Sequence, residues 1–302
     1  MSVLAVIVLY KRSVERSETL ISLGEALGRH PGLLQRLRVL LWDNSPMPTT
    51  PTLAFPFDYV HSGKNVGTAG AFNHAMEFAE TLSIPWLLLL DQDTTLPEDF
   101  VAKMIGYSDR FADTPEVAAV VPLLWCRGQL ISPKRLRNLY RISPVPPACY
   151  GTYKEQVVVC DSATLMRTAA LREAGGYDEE LFWLDFSDID VFAALHRNGK
   201  SIYIASDLQL QHSLSMMDYD TDMTPERYSN FLAAEGTFFF LRRSPLDNVA
   251  LTVRLLARGT KQYLRYKNKT FARMTWTAFR HRMLVAKPQR MKIWADELGR
   301  RG

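Results

Sequence analysis

The chain has 302 residues, 47% of them apolar and 23% charged, a balance that excludes a disordered or fibrous protein and suits one or two compact domains. Its apolar runs, Val3 to Leu9 and Trp86 to Leu90, fall far short of the roughly 20 residues that span a bilayer. No basic residue precedes the first of them, as an export signal requires, so a cytosolic protein is expected. The net charge of +4 is unevenly spread: residues 1–250 carry 22 Lys and Arg against 30 Asp and Glu, and residues 251–302 carry 14 against 2. An acidic body with a basic tail fits contact with an anionic surface, or a tail that is merely solvated.

Val3 to Leu9 is continuous Val, Ile and Leu and predicts a strand covered on both faces of a parallel sheet. A helix through Leu20, Leu23 and Leu27 follows, then a strand over Arg38 to Trp42 that ends in the turn-forming Asp43-Asn44-Ser45-Pro46. Phe57 to Val60 predicts a third strand, and from Thr68 the residues Phe72, Ala75, Met76, Ala79 and Leu82 keep to one helical face. Trp86 to Leu90 predicts the next buried strand, stopping at Asp91-Gln92-Asp93, and Thr95-Leu96-Pro97-Glu98 has the spacing of a capping box and predicts a helix start. Val117 to Pro122 predicts another strand, and Gly128 to Gly151, rich in Pro, Arg and Tyr, predicts an irregular excursion.

Strand pattern resumes at Val157 to Cys160, followed by a short helix ending near Gly175-Gly176 and a helix from about Asp188 to Gly199. Ser201 to Ile204 and Leu208 to His212 predict two closing strands. From Thr224-Pro225 the pattern is helical to the end. Between Pro245 and Tyr266, Val249, Val253, Leu256 and Leu264 share one side and Arg254, Arg258, Lys261 and Arg265 another, a basic amphipathic helix. The aromatic stretch Phe238-Phe239-Phe240-Leu241 suits a core or an interface between copies. Strands alternating with helices imply an α/β sheet, whose ligands bind beyond the carboxyl ends of parallel strands. Cys126, Cys149 and Cys160 are odd in number and lack metal spacing, so free thiols are expected.

Asp91 and Asp93 leave a buried strand two residues apart, and two like charges held there call for a cation; Mg²⁺ or Mn²⁺ shared with a diphosphate would neutralise both partners. The same residues also suit a turn before a helix N-terminus. Asp43, past another strand end, can bind a base or ribose or simply form the turn. Asn65, Gly67, Gly70 and Asn73 put small residues at a helix start without the GxGxxG or P-loop pattern. Asp185, Asp188 and Asp190 suit helix capping and salt bridges, or a general base that takes a proton from a hydroxyl. His212, after the last strand, suits either a structural role or completion of a metal site. Hydrolase signatures are missing, and no nucleic-acid-reading motif accompanies the basic tail.

Taken in order, Val6-Ile7-Val8-Leu9-Tyr10, Asp43-Asn44-Ser45, Asn65-Val66-Gly67 with Asn73, Asp91-Gln92-Asp93, Gly175-Gly176-Tyr177-Asp178, Asp185 to Asp190 and His212 resemble a family 2 glycosyltransferase over about residues 1–215. Leu90 to Thr94 and Glu180-Leu181-Phe182 leading into Asp185, Asp188 and Asp190 are most similar to bacterial rhamnosyltransferases, with galactofuranosyltransferases next.

The resemblance implies an α/β fold of the GT-A type, a mixed, mainly parallel sheet flanked by helices, with an α-helical C-terminal extension. It implies a nucleotide-sugar-binding catalytic domain at 1–215 and a basic helical region at 216–302 for membrane association or oligomerisation. Tyr10, Asp43, Asn65, Gly67, Asn73 and Asp91 would bind the donor, Asp93 and His212 would ligate Mn²⁺ or Mg²⁺, Asp188 would be the base of an inverting transfer, and Asp185 and Asp190 would support it. The implied partners are a sugar nucleotide, dTDP-rhamnose or a UDP-hexose, and a lipid-linked envelope polysaccharide such as O-antigen at the inner membrane surface, which the basic helices would meet. Related enzymes carry an Arg four residues after the second acid, where this chain has Ala194; Arg197 lies one turn later. The contrasting expectation is a membrane-attached scaffold that keeps the fold without catalysis.

Overall fold

The computed structural model describes residues 2–137, 139, 141–212 and 223–284 and divides into two compact units. The first unit draws on residues 1–136, 142–179 and 187–213. It opens with β1 (Val3–Leu9), α1 (Glu18–Arg29), β2 (Leu37–Asp43), β3 (Asp58–His61), α2 (Gly67–Thr81), β4 (Trp86–Leu90), α3 (Phe100–Arg110) and β5 (Val117–Cys126). Every residue of β1 is buried, as its unbroken apolar run requires. Leu4, Val6 and Val8 pack with Phe72 and Met76 of α2, while Val3, Ala5, Ile7 and Leu9 pack with Leu20, Leu23 and Leu27 of α1 and Phe100 and Met104 of α3. Alternate residues of one strand therefore hold helices on opposite faces of the sheet, each large side chain contributing about 1.5–3 kcal/mol of burial.

Between β5 and the next helix come β6 (Gln129–Ser132), β7 (Lys134–Arg137), β8 (Arg141–Pro144), β9 (Gly151–Tyr153), β10 (Val157–Val158) and β11 (Thr164–Arg167), then α4 (Thr168–Glu173), α5 (Ser187–Arg197) and β12 (Ser201–Gln211). The main sheet has the order β3-β2-β1-β4-β11-β5-β12-β9, with β6 added on β5. β1 to β4 are mutually parallel, as are β5 and β12, and β11 runs antiparallel between β4 and β5. This is the mixed, mainly parallel sheet expected.

Four local expectations are corrected. The helix expected from Thr95 begins at Phe100 instead. Before it the chain is tied to α1, where Thr19 Oγ1 accepts from Thr94 N at 3.0 Å and Ser22 Oγ accepts from Leu96 N at 3.0 Å. The excursion at 128–151 contains short strands, with β10-β7-β8 forming a small second sheet. β11 has no counterpart in the sequence pattern. Finally, the two closing strands are one, β12, carried past an irregularity between Ala205 and Gln209.

The second unit, residues 137–141, 180–186 and 214 onward, contains α6 (Pro225–Arg242), α7 (Pro245–Arg265) and α8 (Thr270–Leu284). Thr224 and Ser244 cap α6 and α7 with their side chains, and Pro opens both helices. The three helices share a buried polar network: Gln262 Nε2 donates to Tyr228 Oη at 2.9 Å, Thr275 Oγ1 donates to Gln262 Oε1 at 2.7 Å, and the Tyr228 and Thr275 hydroxyls are 2.6 Å apart. Phe238 and Phe239 are core residues.

The amphipathic α7 is oriented unexpectedly. Leu251, Leu255 and Gly259 face inward, Arg258 donates to both carboxylate oxygens of buried Glu235, and Arg254 donates to Leu139 O. Arg254 and Arg258 are thus engaged within the unit rather than offered to a surface, while Val249, Val253, Leu256 and Leu264 face outward. Residues 285–302, expected to continue as helix, lie outside the described residues. Among the described residues no helix is long and apolar enough to cross a membrane.

Arg167 of β11 fastens the sheet to the turn after α3. Its buried guanidinium donates to Val117 O and Thr114 O, each at 3.0 Å, and to Phe111 O, and lies 4.3 Å from the Trp86 ring. Replacement by Met keeps the apolar contact but leaves these carbonyls without a donor. Arg167→Met is expected to lower unfolding stability by about 2–4 kcal/mol in chemical denaturation.

Candidate active site

Register alone brings the first three chain segments together. Leu9 is level with Asp43 and Ile7 with Leu90, so the parallel strands β1, β2 and β4 all end at one edge and release Tyr10, Asn44 and Asp91 there. Gln92 ties two of these ends: its Oε1 accepts from Tyr10 N at 2.8 Å, while Ser17 Oγ donates to Gln92 O. Lys11, in the left-handed region at φ 52°, donates its backbone N–H to Ser45 Oγ at 2.8 Å. Beyond β1 lies a cleft of about 650 Å³ lined by Lys11, Arg12, Ser13, Arg16 and Glu18, three cations against one acid and therefore suited to an anionic group.

Two further segments reach the same edge because of the strand that the sequence pattern missed. β12 is parallel to β5, so its end carries His212, whose N–H donates to Trp125 O at 2.9 Å. β11 runs the other way, with Thr164 level with Leu89, so its beginning rather than its end lies beside Asp91 and delivers Cys160, Asp161 and Ser162.

The result is two adjoining clusters. Ligand atoms of Asp91, Asp93 and His212 lie within 4.8 Å of one another, and so do those of Cys160, Asp161 and Asp188. His212 Nδ1 is 3.4 Å from Asp91 Oδ2 and 3.1 Å from Thr94 Oγ1, and the Thr94 hydroxyl donates to Asp91 Oδ1 at 2.6 Å. Its other ring nitrogen faces Cys160 Sγ at 3.9 Å, which joins the clusters.

Their electrostatics are those of carboxylates short of counter-charge. Burial, and then the charge of Asp91, push the Asp93 carboxyl up to about 6 despite His212 and Arg12. Burial pushes Asp161 up to about 7 against the opposing effect of the nearby Tyr177 hydroxyl, with Asp91 adding to the rise. Burial also drives the Cys160 thiol upward, helped by Asp188 and Asp161. Two carboxylates and an imidazole that converge at one sheet edge form a donor set able to hold a divalent cation.

The remaining predicted residues fall into place unevenly. Asp43 is fully buried and turned inward: Oδ1 accepts from Ser45 N at 2.9 Å, and Oδ2 accepts from Tyr59 at 2.8 Å and Thr49 at 3.3 Å. Burial raises its pKa, yet those bonds outweigh it and leave the carboxyl below its ordinary range. Asn65 Oδ1 accepts from Gly67 N at 3.0 Å, and Gly67 opens α2 at φ 71°, a conformation that favours glycine.

Asn73 spends its whole amide on a clamp: Oδ1 accepts from Tyr177 N at 2.8 Å and Nδ2 donates to Tyr177 O at 2.9 Å. A Cβ on Gly176 would approach Asn73 Oδ1 to 2.7 Å, which accounts for the glycine at that place. Asn73 thus ties α2 to the backbone of Tyr177. Asp188 opens α5, where its Oδ1 accepts from Ile189 N at 2.7 Å, and Asp190 is buried on the same helix. Asp185 belongs to the second unit, where it pairs with Arg227 at 2.9 Å; burial raises its pKa and Arg227 opposes the rise. Ala194 is buried, whereas Arg197 is the exposed last residue of α5, roughly 13 Å along the helix from Asp188 at 1.5 Å per residue.

Sequence reasoning missed Cys160, Asp161, Thr94 and Gln92 as site residues. One signal was present for the first two: a Cys-Asp pair that interrupts an apolar run at Val159 marks a chain segment leaving the core.

Comparison with known proteins follows the same lines. The family model described as Glycosyl transferase family 2 matches residues 6–173, more than half of the chain. Among curated proteins no sequence matches. Among solved structures the chain is similar to S. aureus TarS, with a TM-score of 0.49 and 14% identity over 98% of this chain and 55% of that one. A structure of S. aureus TarS 1-349 is similar with a TM-score of 0.47 and 14% identity, covering 93% of this chain and 91% of that one. GalNAc-T7, crystallised with UDP, GalNAc and Mn²⁺, is similar with a TM-score of 0.56 and 11% identity over 97% of this chain and 58% of that one. The chain spans little more than half the length of the longer TarS chain and of GalNAc-T7, and the likeness to GalNAc-T7 concerns the fold alone. With its mixed sheet of GT-A type and a family match running from β1 to the end of α4, the chain belongs to glycosyl transferase family 2.

Proposed function

We propose that the protein transfers a sugar from a nucleotide diphosphate donor to a hydroxyl of a lipid-linked saccharide, with inversion at the anomeric carbon, and that the donor is dTDP-rhamnose. The observation that carries this reading is the meeting of Asp91, Asp93 and His212 with Cys160, Asp161 and Asp188 at one sheet edge. A cation site beside a separate carboxylate suits a single displacement across a sugar.

Asp93 and His212 would hold Mn²⁺ or Mg²⁺, with Asp91 steadied by Thr94 beside the donor ribose. Such an ion supplies Lewis-acid neutralisation of charge on the departing diphosphate. The cationic loop of Lys11, Arg12 and Arg16 adds fixed positive charge on the donor side. Asp43, Asn65 and Gly67 shape the turn and helix start against which the nucleotide rests, and Tyr10 leads the donor loop. Asp188 accepts the acceptor hydroxyl's proton as the new bond from that oxygen to the anomeric carbon forms and the bond to the diphosphate oxygen breaks. Asp190 positions Asp188 through their shared helix, and Asp185 supports the segment before it.

Asp93→Asn and Asp188→Asn are each expected to lower transfer by at least about 100-fold while leaving the melting temperature within a few degrees of wild type. Assays with a panel of sugar nucleotides and Mn²⁺ or Mg²⁺ check this, and undiminished turnover by either variant removes that assignment. In a thermal-shift comparison dTDP should stabilise the protein more than UDP does; the reverse order favours a UDP-hexose such as a galactofuranose donor.

The pH dependence has a definite sign. Asp93 binds its proton more tightly folded, with its pKa raised from 3.8 to about 6, so its contribution to stability is greatest at low pH and is lost as pH rises through that window. A bound cation offsets the loss by favouring the ionised form. Mn²⁺ should therefore raise the melting temperature more at pH 7.5 than at pH 5; an equal rise at both, or none, counts against the site.

A further inference from the structure

Among the described residues of the second unit, the outward side of α7 leaves a run of large aliphatic side chains exposed. Leu246, Val249, Val253, Leu256 and Leu264 are between 47% and 78% exposed. At 100° per residue they fall with exposed Ala257, Thr260 and Tyr263 in an arc of roughly 120° that contains no charged residue. From Leu246 to Leu264 the stripe runs about 27 Å along the helix. Ion pairing does not explain it, because Arg254 and Arg258 point inward to Leu139 O and Glu235.

Charge identifies the occupant. Residues 251–284 contain nine Lys and Arg and no Asp or Glu. At the same 100° per residue, exposed Lys261 lies about 40° past the edge of the arc and exposed Arg265, one turn on, about 80° past it, and Arg273 and Arg280 are exposed on α8. A second copy laid against this face would bring two such cationic sets together, whereas a bilayer with anionic headgroups meets the apolar arc with acyl chains and the basic rim with phosphates. We propose that the outward face of α7 is a docking surface for an anionic membrane, lying in the headgroup plane with Leu246, Val249, Val253, Leu256 and Leu264 inserted. This deepens the reading above and rests on its lipid-linked acceptor for its purpose, but lipid binding is measured without any sugar nucleotide, so each can fail alone.

The experiment is co-sedimentation of the full chain with vesicles of phosphatidylglycerol and phosphatidylethanolamine, against vesicles of phosphatidylcholine alone, with the mass of the protein in solution measured by light scattering. Wild type should bind the anionic vesicles and not the zwitterionic ones. The double variant Val253→Glu, Leu256→Glu alters only exposed positions, so it should keep the wild-type melting temperature and lose bound fraction by about tenfold or more. Lys261→Glu with Arg265→Glu should weaken binding and reduce its dependence on salt. The proposal is overturned if wild type ignores anionic vesicles, if the Val253, Leu256 variant binds them as well as wild type does, or if the stripe variant instead dissolves a dimer, which assigns the face to a second copy.

Discussion

Mutual repulsion between carboxylates that cannot move apart is the constraint on which the first unit turns. Asp91 and Asp93 leave β4, a strand with every residue buried, and the chain has no freedom to spread them before Thr94 is pinned on α1. Asp161 is then brought in just before β11 with the charge of Asp91 acting on it, while Asp91 and Asp93 share the imidazole of His212. In a medium poorer than water in polarisability such charges are costly, so two of the carboxyls hold their protons well above the ordinary range. A site of this kind gains most when positive charge arrives, so its donor set suits a cation better than a neutral ligand.

Holding those groups in place falls to uncharged neighbours. Thr94, wholly buried, touches Asp91, His212 and Ser162 through a single hydroxyl. Asn73 spans from α2 to the backbone of Tyr177, whose ring lies buried among Asp161, Asp188 and Cys160. Ala163, next to Ser162, and Phe186, just before α5, both adopt positive φ without being glycine. Such backbone costs of order 1–3 kcal/mol each, and here they flank the segments that present Asp161 and Asp188.

The second unit is organised by the opposite rule, with Arg254 and Arg258 of α7 used internally. Arg258 on buried Glu235 and the Tyr228-Gln262-Thr275 network fix how α7 turns, and turning it that way leaves aliphatic side chains in water. Hydrophobic residues left outside at this density cost solubility unless something covers them, so the packing of the unit and its surface chemistry are one question.

The amino-acid sequence by itself determined the elements whose residues carry their own periodicity or capping: β1, β4, α1, α2 and the capped starts of α6 and α7, together with the acids that follow strand ends. Asp91 and Asp93 were legible because an acid directly after a buried apolar run has only the sheet edge to go to. What tertiary structure alone decided was pairing. β11 is four residues long and buried on both faces, so nothing in its pattern separates it from its surroundings, yet its antiparallel placement beside Asp91 is what makes Cys160 and Asp161 part of the site. The same holds for α7: an amphipathic period states that two faces exist, and only the position of Glu235 on α6 selects which of them turns inward. Local patterns record the competition between neighbours three or four residues apart; partners twenty or more residues away leave no such record.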